Sequence, residues 1–139
     1  QGRPRPRRQG SAAAVILIEV SPGELIDRII ILELKLANIA DAAKLSRVRA
    51  EWEQLNAVCA AEIRMTGEIE RLRDDLRQVN KKIWKSENTL RVFVAEVAPP
   101  LAFVSAAQTA CKSNDRRAEL KRRINALCGS QLTEEKHYQ

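Results

Sequence analysis

Histidine is nearly absent from this chain: His137 is the single one in 139 residues. Without a second imidazole, and with no pair of cysteines at CxxC spacing, the usual ligand sets for zinc are missing and no metal is expected. Cys59, Cys111 and Cys128 are odd in number and widely separated. They read as reduced thiols of a cytoplasmic protein rather than as a disulfide frame. No glycine-rich phosphate loop and no nucleophile–base pair is visible, so no catalytic residue and no cofactor is assigned. Long hydrophobic runs are lacking too. The longest near the start, Ala12 to Ile18, is too short for a membrane span or an export signal, although the arginines before it mimic one.

Charge is plentiful but unevenly placed. Of a net +6, Arg3, Arg5, Arg7 and Arg8 supply +4, and the remainder holds 20 basic and 18 acidic residues. A nucleic-acid function would therefore rest on the tail. Residues 1–11 combine Pro, Gly and Arg without an apolar residue and predict a disordered tail ahead of a single helical domain, 12–139.

Val15–Val20 is β-branched, ends at Ser-Pro, and predicts a short strand in need of a hydrogen-bonding partner. Ser21 can cap the helix that follows. Pro22 fits its first position, and the Glu24 carboxylate stands where it can reach back to the cap amide. Helix one, about Pro22 to Ile39, is apolar on almost every side and must be wrapped by others. Helix two spans about Ala42 to Met65 behind an Asp41 cap, with a stripe at Leu45, Val48, Trp52, Leu55, Cys59 and Ile63. Thr66-Gly67 reads as a turn, with the glycine as helix stop. One rod running through Gly67 is the alternative.

Helix three carries Ile69, Leu72, Leu76, Val79, Ile83 and Leu90, a period suited to an antiparallel hairpin with helix two, and Pro99-Pro100 ends it. A fourth region, Leu101 to Leu127, slips its stripe near Ser113-Asn114-Asp115 and is one helix or two, ended by Gly129. The fold class expected is all-α: an antiparallel bundle of about four helices with a long hairpin. Residues from about 130 to 138 are expected to fold back against the start of helix one, with Glu134 or Glu135 near Arg28 or another cation at the core's edge. Pairing of two Val15–Val20 strands in a homodimer is the rival arrangement.

Polar residues sit where apolar ones belong. Glu33 lies on helix one, where a lone buried carboxylate would cost several kcal/mol. Asn80, Trp84, Glu87 and Arg91 step along one side of helix three, and Asn114, Arg117, Lys121 and Asn125 along helix four. These nine residues are the candidate ligand-binding set, a pocket suited to an anionic or sugar-like ligand. The competing reading makes Glu33 with an arginine, and Glu87 with Arg91, structural pairs that fix helix register. Lys81-Lys82-Ile83-Trp84-Lys85 and the basic residues from Arg116 to Arg123 suit solvated helix faces better than a nucleic-acid patch.

Val20-Ser21-Pro22-Gly23-Glu24-Leu25-Ile26-Asp27-Arg28, Ile31-Leu32-Glu33-Leu34-Lys35-Leu36, and Lys44-Leu45 with Val48-Arg49 form one set of motifs. Asn80…Trp84…Glu87…Arg91, Asn114-Asp115-Arg116-Arg117…Leu120-Lys121…Ile124-Asn125, and Gly129-Ser130…Glu134-Glu135-Lys136…Tyr138 form another. Together they resemble a bacterial family of short helical proteins labelled a domain of unknown function, over roughly residues 18–138. The chain departs from it at Ile30, where threonine is expected, and around 92–112. The resemblance implies a setting near glycosyltransferases and tetratricopeptide-repeat proteins of surface-polysaccharide clusters, and no catalytic residues. The expected function is a non-catalytic interaction or accessory protein whose partner is protein, either itself or a glycan-building enzyme. A small helical enzyme or ligand-binding bundle using the Glu/Arg/Lys/Asn set is the alternative, and nucleic-acid binding through the tail the second.

Overall fold

The structure is a computed structural model and describes residues 14–94 and 100–131. It contains four helices: α1 (Pro22–Asn38), α2 (Ala42–Glu62), α3 (Gly67–Phe93) and α4 (Leu101–Leu127). Three begin with a side-chain cap. The Ser21 hydroxyl accepts from the Glu24 amide at 3.2 Å, Asp41 from Lys44 at 3.0 Å, and Thr66 from Ile69 at 3.2 Å. Each of these bonds satisfies an amide that has no partner within its own helix. α4 is uninterrupted through Ser113-Asn114-Asp115. It ends where Gly129 takes a left-handed φ of 67°, which lets the Ser130 amide reach the Asn125 carbonyl at 2.9 Å.

α3 and α4 pack along each other as the long hairpin. α1 lies across both, and α2 rests on α1. The core follows from this arrangement. Leu25, Ile26, Ile29 and Ile30 of α1 meet Leu72, Leu76, Val79 and Ile83 of α3 with Leu120 and Ile124 of α4, while Cys59 and Ile63 close it from the end of α2. Burial of this set is the main favourable term in the fold.

Three sequence expectations need correction. The hairpin pairs α3 with α4, not α2 with α3. α2 holds a single buried residue, Cys59, so it has too little apolar face to cover a long partner. Gly67 is not a stop: α2 ends at Glu62, residues 63–66 are outside any helix with Ile63 and Thr66 extended, and Gly67 opens α3 behind its Thr66 cap. That break also excludes the continuous rod. Residues 14–20 belong to no strand among the described residues, because no backbone hydrogen bond there joins them to another segment. The 1–11 tail and the fold-back of 130–138 lie outside the described residues, except for Ser130 and Gln131.

Candidate functional site

The polar side chains that the structure gathers surround the first two turns of α1. Gly23 makes the closest approach. Its amide donates to the Asn125 side-chain oxygen at 2.6 Å, and a Cβ placed there would stand 2.6 Å from the Lys121 carbonyl oxygen. Only glycine lets α1 come so near the backbone of α4. One residue on, the Glu24 carboxylate receives the Lys121 ammonium at 2.7 Å and faces Arg28 at 3.8 Å. Glu24 thus turns outward to α4 rather than back to the Ser21 amide, as a capping box would require.

Asp27 is the centre of the cluster, 1% exposed. Asn80 of α3 donates to one carboxylate oxygen at 2.8 Å and Arg117 Nε to the same oxygen at 3.0 Å, while Arg117 Nη2 binds the other oxygen. One carboxylate therefore ties α1 to both arms of the hairpin. A charge so deeply buried is tolerable only with such paired, charge-assisted bonding.

Of the nine residues expected to form a pocket, the structure brings four together here: Asn80, Arg117, Lys121 and Asn125. Glu33 stands apart. It pairs with Arg77, whose Nε and Nη2 both lie 3.3 Å from one carboxylate oxygen, and Arg77 also holds Asp74 at 2.6 Å. Trp84 is half-buried, and Glu87 and Arg91 are exposed. Asn114 donates to the Ala110 carbonyl of its own helix at 3.0 Å. Glu33 and Glu87 therefore do not share a site. Sequence reasoning missed Gly23 and Asp27. The signal was their spacing, since Gly23, Asp27, Ile30 and Leu34 form one buried line along α1.

Chemically the cluster is a clamp. Its carboxylates are met by cations and amides of the same chain. Asn125 is 1% exposed, and its side-chain nitrogen has no acceptor among the described residues. No three His, Cys, Asp or Glu side chains converge as a metal site among the described residues. Burial pushes the Cys59 thiol above its ordinary pKa against the opposing pull of Arg73. Cys128 is raised by burial and further by Cys59.

Residues 16–139 match a family described as "Family of unknown function (DUF6165)". The chain belongs to that family. No curated protein and no solved structure matches the chain at a significant level.

The DUF6165 match takes in all four helices, the clamp and most of the extended arm ahead of α1. Two apolar surfaces fall within it. One is the arm itself, where Val15, Ile16, Leu17, Ile18 and Val20 are all exposed. The other is a groove of about 470 Å³ on α4, lined by Phe103, Val104, Ala107, Gln108, Cys111 and Lys112. Val92 and Val94 at the end of α3 and Leu101 at the start of α4 are also exposed. No described helix is long and apolar enough to cross a membrane.

Proposed function

We propose that this DUF6165 protein is a non-catalytic helical interaction protein of the cytoplasm, an accessory to enzymes that build surface polysaccharide. The observation that supports it most is the division of its surface chemistry. The buried charged groups of the clamp are engaged with one another inside the fold, whereas the arm and the α4 groove leave aliphatic side chains in water. Exposed apolar patches of this kind mark surfaces that bind other molecules. The glycan setting rests on the resemblance of its motifs alone.

Two measurements test the reading. Co-expression with a surface-polysaccharide glycosyltransferase of the native host should give a complex that survives gel filtration, or the chain should self-associate. Absence of both overturns the proposal. Sugar nucleotides and small carboxylates should leave the melting temperature unchanged. A shift abolished by Arg117→Lys would instead establish ligand binding at the clamp.

A further inference from the structure

The arm and the groove fit each other. Residues 14–20 belong to no helix or strand, and laid out as an extended chain they would turn Ile16 and Ile18 to one face and Val15 and Leu17 to the other. All four are more than half exposed, with Ile16 at 80% and Ile18 at 73%. An arm that is apolar on both faces is not built to lie along water. Its seven residues, 14–20, reach about 20 Å, and the groove from Phe103 to Lys112 runs about 14 Å along α4. Charge agrees as well: Glu19 is the one charged residue of the arm, and Lys112 stands at the groove's edge.

We propose that the 14–20 arm of one copy lies in the α4 groove of a second copy, so that the protein forms an arm-exchanged, two-fold dimer. Every residue from 14 to 20 is exposed, so none of them is buried against the described residues of its own molecule. A second copy brings both a matching arm and a matching groove. A two-fold axis makes the exchange reciprocal, so both arms and both grooves are covered at once and the assembly closes. Direct pairing of the two arms into a ribbon is the weaker arrangement, since an isolated two-stranded sheet is marginal in water. The family match beginning at Ile16 takes in residues 16–20 of the arm. The inference rests on the reading of the chain as an interaction protein and names its partner.

Cys111 supplies a direct test, being an exposed thiol in the groove wall. Light scattering on the full chain should give the mass of a dimer. The arm variant I16D/I18D and the groove variant V104D should each weaken dimerisation at least tenfold while melting as cooperatively as wild type. Ile18→Cys under mild oxidation should yield a covalent dimer that disappears in the C111S background. A monomer across the micromolar range overturns the inference. So does a dimer indifferent to V104D, or an arm-to-arm crosslink that persists in C111S. A crosslink within one chain, to its own Cys111, overturns it as well. If the chain is monomeric yet still binds a glycosyltransferase, only this inference falls and the interaction reading stands.

Discussion

Asp27 and Arg117, 90 residues apart in the chain, meet as a two-point ion pair between α1 and α4, and Asn80 completes the carboxylate's bonding from α3. The two partners differ in burial. The Asp27 side chain is 1% exposed and that of Arg117 27%, so removing one is not equivalent to removing the other.

Arg117→Ala leaves the carboxylate buried without its cation and should cost about 3–5 kcal/mol in urea denaturation. Asp27→Ala leaves an arginine that water can reach, so its cost should be smaller, about 2–3 kcal/mol. The double substitution should fall short of the sum by about 1–3 kcal/mol, because both single changes break the same pair. Strict additivity would show that the two residues do not act together.

Three glycines should respond differently to alanine. Gly23→Ala drives a Cβ into the Lys121 backbone and should destabilise by about 1–3 kcal/mol through separation of α1 from α4. Gly67 opens α3 with nothing within 4 Å of the added carbon, so Gly67→Ala should stabilise by up to about 1 kcal/mol. Gly129 has open space but a positive φ, and Gly129→Ala should lose about 1–2 kcal/mol through backbone strain alone. Thermal melts of the three variants give the order directly, and equal effects would refute the close approach at Gly23.

Glu87→Ala and Arg91→Ala should change stability by no more than about 0.5 kcal/mol each, as both side chains are exposed. Lys121→Ala should cost more than about 1 kcal/mol, because its buried stem packs between helices and its ammonium neutralises Glu24. A larger loss for Glu87 than for Lys121 would move the polar centre of the molecule to the outer half of α3.

The thiols predict a loss of stability in alkali. In the folded protein Cys59 and Cys128 hold their protons more tightly than ordinary thiols, so the unfolded chain ionises first as pH rises. The stabilisation is complete below about pH 8.5 and declines as pH climbs toward the raised folded values. Between pH 8 and 10 the C59A/C128A variant should therefore lose less stability than wild type. In native protein, dithionitrobenzoate should titrate Cys111 first and Cys59 last, following their exposure. Identical pH slopes for variant and wild type would exclude this linkage.

Local chemistry was the legible part of the sequence. Ser21, Asp41 and the stripe from Ile69 to Ile83 carry their own instructions, because caps and periodicity act over a few residues. Partner choice between helices was not legible. The stripe of α2 has the spacing of a packing face, yet it half-buries Leu45, Val48, Trp52 and Leu55 and fully buries only Cys59 and Ile63 at its end, and that outcome depends on what α1 takes up elsewhere. The clamp was half legible. Arg117, Lys121 and Asn125 stood out as polar residues along one side of α4, but their complement was sought at Glu33 and Glu87. Asp27 escaped attention because it follows Ile26 in a segment that reads as core. Its burial is intelligible only once Gly23 has brought α4 within reach.

The contacts that α1 makes to α4 have a consequence during synthesis. Arg117, Lys121 and Asn125 lie 90, 97 and 102 residues downstream of Asp27, Glu24 and Gly23. At about 5–20 residues per second, a ribosome needs on the order of 5–20 s to deliver them after α1 has been made. Throughout that interval the most apolar helix of the chain lacks the cations that hold it. Stalled nascent chains ending before Arg117 should be digested by protease at α1, and those followed by a linker long enough to bring Ser130 out of the exit tunnel should be protected. α4 is thus the helix that licenses α1, although the ribosome makes it about 90 residues later.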